Sequence, residues 1–429
     1  MLSLIATCRD WCVTSYAPYG LSLSVGWVTC YPPGPFMCWC VTSYAPYVCD
    51  LGVLRVGTAD TITGMKNLKV VLIFFGILLG NMVYADVQLD LVELPPGFSI
   101  DIYAEGVENA RQMARGSAGT IFAGSRRAGK LWAVTDADGD QRADQVRLIA
   151  EDLKMPSGLE FLDGSLYVGA VEKILRFDNI ESLLDQPPEP VVLTDTLPDK
   201  KHHGWKYLRF GPDGKLYVPI GIPCNICEEE GFGEIRRMNP DGSEIETFAE
   251  GVRNSVGLAF HPDNGQLWFT DNGKDRLGDD IPADELNHAP RAGMHFGIPY
   301  CHQGDLLDEE FGKNKSCDDY TPPVAKLDPH AAALGLVFYT GAMFPAEYKN
   351  RLFITQHGSW NRSKKVGYQI LVLDVQADGK VLNKKVFASG WLQDEASWGR
   401  PNDVLVMPDG ALLVSDDQAG VIYRISYTR

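Results

Sequence analysis

From residue 98 onward the chain alternates short apolar runs with tight polar turns, a pattern with the period of strands. Six runs stand out: "GTIFAGS" (119–125), "GSLYVGA" (164–170), "GKLYVPIG" (214–221), "GQLWFTDNG" (265–273), "NRLFITQHG" (350–358) and "GALLVSDD" (410–417). Four are introduced by another apolar strand, "GLEFLD", "YLRFGPD", "GLAFHPD" and "VLVMPD", and outer strands such as "KLWAVTD", "KILRFD", "EIRRMNPDG", "YQILVLDV" and "VIYRIS" follow. Two strands joined by an Asp-Gly-type turn and followed by a third make one blade of a β-propeller. Six such units predict an all-β, six-bladed β-propeller over 86–429, with no room for a second domain.

Successive second strands lie about 45–60 residues apart, except between "QLWFT" and "RLFIT", where the gap is about 85 and exceeds a usual blade period. An inserted loop region is therefore expected around 274–330, between the fourth and fifth blade motifs. Long excursions on a rigid scaffold are where function tends to lie. The run "FSIDIYAEGV" (98–107) lacks a blade of its own and is expected to close the ring beside "VIYRIS".

The first part of the chain follows a different pattern. Residues 65–85, "MKNLKVVLIFFGILLGNMVYA", pair two lysines with an apolar run and a small-residue end, which reads as a secretory signal peptide. The apolar run is too short for a stable membrane span. Residues 1–64 repeat "CVTSYAPY" at 12–19 and 40–47 and hold six of the ten cysteines. They read as a spurious or disordered upstream extension, with a cysteine-rich prodomain as the alternative. The expected location is periplasmic or secreted.

Without residues 1–85 the chain holds 53 acidic and 35 basic residues, a net charge of −18. That balance argues against nucleic acid or an anionic membrane as partner, and an anionic ligand would need a local cluster of cations. His203 stands just before the strand "KYLRFG", Arg253 and Asn254 before "VGLAFHPD", and Arg400 and Asn402 before "VLVMPD". These are equivalent blade positions, so ring closure is expected to gather them at one mouth. Histidine is the side chain most easily poised as a base near neutral pH, and paired arginines suit carboxylates. Taken singly, His203 reads also as a loop histidine bonded to a neighbouring blade, and Arg253 as half of an inter-blade ion pair.

The segments "KHHGWKYLRFGPDGKLYVPIG", "GVRNSVGLAFHPDNGQLWFTDNGKDRLGDD", "DELN", "GMHFGIPYCHQG" and "GRPNDVLVMPDGALLVSDDQAGVIYRI" resemble the soluble quinoprotein sugar dehydrogenases of the glucose/sorbosone dehydrogenase family. These are six-bladed propellers that use pyrroloquinoline quinone (PQQ) and calcium, and the likeness spans about residues 95–429. The resemblance implies oxidation of an aldose or a related aldehyde or alcohol, with His203 as base and Arg253 polarising the quinone oxygen. It implies that Arg253, Asn254 and Arg400 bind PQQ and that the backbone carbonyls of Gly273 and Lys274 hold the calcium. Asn402 stands where glucose-oxidising relatives carry a second arginine, and Ser157 where they carry a glutamine. A further cationic clamp would come from Arg362, Lys364 or Lys365, and these departures resemble the sorbosone or broad aldose branch.

No CxxCH haem attachment is present, so electrons would pass to a separate acceptor, a cytochrome or quinone. In an exported chain, Cys224 and Cys227, and Cys301 and Cys317, are expected to form disulfides, with a four-cysteine zinc site as the alternative. "DADGDQRAD" (136–144) has aspartates at calcium-loop spacing without the closing glutamate and reads as a structural calcium loop or a plain polar hairpin. The competing functions are a metal-dependent lactonase, which needs a carboxylate-rich central metal site, and a non-catalytic binding propeller.

Overall fold

A computed structural model of the chain describes residues 87–428; the expected signal peptide and upstream extension lie outside the described residues. Six antiparallel sheets form the blades. Blade 1 comprises Ala110–Arg115, Ile121–Ser125, Leu131–Thr135 and Gln145–Ala150. Blade 2 comprises Gly158–Leu162, Ser165–Gly169, Ile174–Phe177 and Val191–Thr194. Arg209–Phe210, Leu216–Ile220, Glu234–Met238 and Glu246–Glu250 make blade 3. Leu258–Phe260, Leu267–Asp271, Glu285–Ala289 and Ala325–Lys326 make blade 4.

Blade 5 is built from Ala333–Phe338, Leu352–Gln356, Gln369–Val375 and Val381–Ala388. Blade 6 takes Pro401–Val406, Leu412–Asp416 and Val421–Tyr427 from the end of the chain and its outer strand, Phe98–Glu105, from the beginning. That strand runs antiparallel to Val421–Tyr427 with Phe98 opposite Tyr427 and Glu105 opposite Val421, which is the closure expected from the sequence.

The second strand of every blade is almost wholly buried. Each lies covered on both faces by the adjoining blades, which is why these runs read as continuously apolar or small instead of alternating. The buried side chains divide into six apolar clusters, one for each contact between neighbouring blades. The contact between blades 6 and 1, around Tyr103, Met113, Ile121, Leu413 and Ile422, exists only because the ring closes.

Around the inner rim, side chains of one blade bond to the backbone of the next. Ser157 Oγ donates to Lys206 O, Thr270 Oγ1 to Leu334 O and Thr355 Oγ1 to Asn402 O, while Asp403 Oδ2 accepts from Met113 N. Gln112 ties three blades: its Nε2 donates to Leu208 O at 2.7 Å, and its Oε1 accepts from Leu159 N and Leu208 N, both at 2.9 Å.

The excursion between the fourth and fifth motifs is shorter than the expected 274–330. "ELNHA", too polar to be read as a strand, forms the third strand of blade 4 (Glu285–Ala289). Residues 290–324 leave blade 4 after it, add Met294–His295 parallel to the edge of blade 3, and form a small hairpin of Cys301–His302 and Leu306–Leu307. The Cys301–Cys317 disulfide ties this excursion together, and a second disulfide joins Cys224 to Cys227. These four cysteines are therefore not available as zinc thiolates, which removes that alternative. The 136–144 stretch joins the third and fourth strands of blade 1, and carboxylate oxygens of Asp136, Asp138 and Asp144 there lie within 4.8 Å of one another.

Truncating Gln112 to alanine strips three buried backbone groups of their partner, each worth about 1–3 kcal/mol when left unpaired. The Gln112→Ala protein is expected to lose about 3 kcal/mol or more of unfolding free energy in a urea titration; a loss under about 1 kcal/mol would show that the inner rim does not depend on this bond set.

Candidate functional site

The residues just before each first strand and just after each second strand share one end of the channel. His203 is held there in a left-handed conformation (φ +47°), an uncommon geometry for a non-glycine residue that the surroundings must enforce. Its Nδ1 lies 2.9 Å from Ile222 O. A carbonyl can only accept, so Nδ1 carries the proton and Nε2 keeps its lone pair. Burial pushes the His203 pKa well below the usual value, and the nearby Arg253 and His202 push it further down. The imidazole is therefore neutral, and Nε2 has no hydrogen-bond partner among the described residues.

The same Ile222 peptide reaches the next blade, since its N–H donates to Arg253 O at 2.9 Å. Gly221 makes this junction possible: a Cβ there would stand 2.7 Å from His203 Cβ and 3.1 Å from Arg253 O. Asp271, at the end of the second strand of blade 4, shapes the Arg253-Asn254 turn by accepting from Arg253 N at 2.7 Å and Asn254 N at 2.6 Å.

The Arg253 guanidinium is almost fully buried and held on three sides. Nε donates to Asn225 O (2.8 Å), Nη1 to Asn272 O (3.0 Å), and Nη2 to Asn225 Oδ1 (2.7 Å) and Asp275 Oδ2 (2.9 Å). One of its five N–H donors, on Nη1, remains for a ligand. Asn225 also bonds both backbone groups of Asp275, and it lies inside the Cys224–Cys227 disulfide loop. The disulfide thus restrains the residue that fixes Arg253.

Across the mouth, Asp417 accepts from Arg111 Nη2 and from His357 Nε2, both at 2.6 Å. Burial raises the Asp417 pKa, but Arg111 and His357 outweigh it and hold the carboxylate ionised. Burial takes His357 down to about 3, so it donates as a neutral imidazole. With its amide oxygen turned toward Arg111, Asn402 accepts from Arg111 Nη1 at 2.8 Å. Arg400 donates to His357 O at 3.0 Å and Gly358 O at 2.6 Å and lies 5.4 Å from the Tyr368 ring centre.

Beside Arg253, the Gly273 and Lys274 carbonyls accept no hydrogen bond among the described residues. Gly273 N donates to Asp284 Oδ1, and Lys274 Nζ turns away to Asp308, which also bonds His302 Nε2. Burial raises the pKa of Asp271, Asp284 and Glu285, and Asp271 raises Glu285 further.

Of the residues expected from the sequence, His203, Arg253 and Asn254 share one network, and Arg400 and Asn402 stand in the Arg111–Asp417 group. Neither single-residue reading holds as expected: the Ile222 carbonyl bonded to His203 and the Asp275 carboxylate paired with Arg253 each belong to the same blade as their partner, not to a neighbouring one. Arg362 donates to Asp279 O and lies near Asp280, whereas Lys364 is exposed. Sequence reasoning missed Arg111, Arg126, Trp205, Asn225, Asp275, His357 and Asp417. Arg126, His357 and Asp417 follow directly on second strands, a position that could have marked them.

Comparison with known proteins gives a consistent set of matches. The family model for glucose/sorbosone dehydrogenase matches residues 186–424. An uncharacterized protein of Borreliella burgdorferi is 33% identical over 353 residues, covering 79% of this chain and 91% of its own length. The fold is similar to a calcium structure of a family AA12 carbohydrate-active enzyme from Trichoderma reesei (TM-score 0.71, 17% identity, 81% of this chain and 100% of that one). It is also similar to the holo PQQ domain of a pyranose dehydrogenase from Coprinopsis cinerea (TM-score 0.66, 17% identity, 78% of this chain and 97% of that one).

Asn225→Ala would remove a side chain that bonds both Arg253 and the Asp275 backbone. The Asp275 amide is then expected to exchange hydrogen at least about tenfold faster, with a stability loss of about 1–3 kcal/mol from the unpaired groups. Unchanged exchange at Asp275 would contradict the role given to Asn225.

Proposed function

The chain belongs to the glucose/sorbosone dehydrogenase family of sugar oxidoreductases, and from that premise we propose that it oxidises an aldose, or a related aldehyde or alcohol, using PQQ and calcium bound at this mouth. The observation that carries the proposal is the neutral His203, with Nε2 unengaged, on a backbone shared with the buried Arg253.

The residues present fit both groups. PQQ is a planar polycarboxylate, and this acidic chain collects Arg111, Arg126, Arg253 and Arg400 at one mouth, of which Arg126 and Arg400 form no ion pair among the described residues. Arg126 Nε is buried without a partner, and the second Nη1 proton of Arg253 has no acceptor among the described residues. For calcium, a hard ion that prefers oxygen, the two unengaged carbonyls of Gly273 and Lys274 lie beside the buried acidic residues Asp271, Asp284 and Glu285.

When bound, PQQ supplies a two-electron acceptor for hydride. His203 Nε2 takes the proton of the substrate hydroxyl while its Nδ1–H stays on Ile222 O, so the ring keeps its orientation as it becomes charged. Arg253 offers its remaining N–H to oxygen that gains negative charge, and its own position is fixed by Asn225, Asn272 and Asp275. Asn254 presents a side-chain amide with no partner among the described residues. Arg400 offers its remaining donors to a carboxylate. The two electrons would leave to a separate cytochrome or quinone.

The lactonase alternative is less well supported. Among the described residues, the one acidic trio with converging oxygens is Asp136, Asp138 and Asp144, in the outer hairpin of blade 1 and not in the channel. No described helix is long and apolar enough to cross a membrane. The two disulfides suit the periplasmic or secreted location proposed from the sequence.

His203→Ala is expected to lower kcat by about 10²- to 10⁴-fold while PQQ still binds, as read from its absorption spectrum. Turnover at the wild-type rate would remove His203 from the mechanism. With His203 held neutral by burial, Arg253 and His202, kcat/KM is expected to stay on its plateau as pH falls through 6.5, the ordinary histidine value. An acid limb centred at 6.5 that disappears in the alanine variant would contradict that environment.

A further inference from the structure

Among the described residues, Arg126 is the one arginine of this mouth whose guanidinium has no hydrogen-bonding partner. It follows the second strand of blade 1, and its guanidinium carbon lies over Trp205, 3.8 Å from the ring centre. Trp205 in turn packs edge-on against His203, with ring centres 5.7 Å apart. The Arg126 backbone N–H donates to Asn109 Oδ1 at 3.0 Å, but among the described residues its guanidinium makes no hydrogen bond or ion pair, and its Nε is buried without a partner. The other mouth arginines are engaged: Arg111 by Asp417 and Asn402, Arg253 by Asn225, Asn272 and Asp275, and Arg400 by two carbonyls.

A half-buried cation without a counter-ion is costly in the empty protein. Stacking on an indole returns only part of that cost, because the ring face attracts the cation but accepts none of its N–H groups. The field around Arg126 confirms the imbalance: burial lowers its pKa to about 9, and Arg111, Arg127 and Arg400 lower it while Asp417 opposes them. Arg126 also contributes to lowering the His203 pKa, so its charge reaches the base as well as the Arg111–Arg400 group. Such an arrangement costs stability in the empty protein and is relieved when an anion arrives.

We propose that Arg126, held over Trp205, is the ligand-facing cation of the mouth and receives a carboxylate of the bound polycarboxylate cofactor. This inference rests on the reading of the mouth as a PQQ site and adds to it a residue and an energetic role. Arg400 and Arg126 then act from blades 6 and 1 as two separate carboxylate receptors, and the contact with Trp205 holds the Arg126 guanidinium in place.

The test uses the apo protein with two probes, PQQ and benzene-1,3,5-tricarboxylate, titrated calorimetrically at low and high salt, together with apo thermal unfolding. Arg126→Ala is expected to weaken binding of both probes by roughly 10- to 100-fold and to reduce the salt dependence. Arg126→Lys is expected to restore part of the affinity, and the apo Tm of Arg126→Ala to stay level or rise, because a cation lacking a counter-ion has been removed. A purely structural arginine would instead lower the apo Tm on truncation and show no rescue by lysine, and that result would overturn the inference. If wild type and Arg126→Ala bind PQQ equally, the Arg126 role fails while the PQQ reading stands. If wild type binds the tricarboxylate through Arg126 but not PQQ, the cofactor reading fails and Arg126 remains an anion receptor. Failure of both probes to bind wild type overturns both.

Discussion

The structure depends on one pairing, the antiparallel register of Phe98–Glu105 with Val421–Tyr427. Each blade alone leaves apolar surface on both faces, and the six inter-blade clusters are complete only in a closed ring. Closure also carries the chemistry. His203, Arg253 and Arg400 are separated by about 50 and 150 residues along the chain, and only a closed ring of blades, each entering the channel at the same level, puts them on one rim.

That rim concentrates positive charge in an otherwise acidic molecule, and neighbouring groups balance it unevenly. Arg111 and Arg253 meet Asp417 and Asp275, and burial is tolerated there because each guanidinium is bonded on several sides. Arg400 and Arg126 meet no carboxylate. The two histidines at this level are both neutral, but for different uses: His357 donates to Asp417, while His203 donates to a carbonyl and keeps a lone pair. A cluster of arginines and a neutral imidazole with a lone pair therefore stand side by side.

Much of this was legible in the sequence. Short apolar runs bounded by Asp-Gly turns marked six blades and the closing strand, because strands buried on both faces read as continuous apolar stretches cut off by their turns. The third strand of blade 4 escaped notice since "ELNHA" carries Glu285 and His288, whose polar atoms are bonded inside the fold by Gln303 and Gln266. Equivalent blade positions marked His203, Arg253 and Arg400. Asn225 was not legible, because its importance comes from bonds to residues 28 and 50 positions away, and the C-x-x-C around it shows only a local disulfide. Arg126 was not legible either, because it is one of three basic residues in "SRRAGK" and only the fold brings Trp205 against it.

A propeller of this family joins a rigid ring to a site assembled from loops, so its activity is decided by what those loops hold. The most direct measurement of the central claim is the absorption spectrum of the protein loaded with PQQ and calcium as an aldose is added without an electron acceptor. The account predicts that the oxidised quinone band is replaced by that of the reduced form, with one equivalent of sugar oxidised per PQQ. A stably bound quinone whose spectrum no aldose, aldehyde or alcohol changes would contradict it.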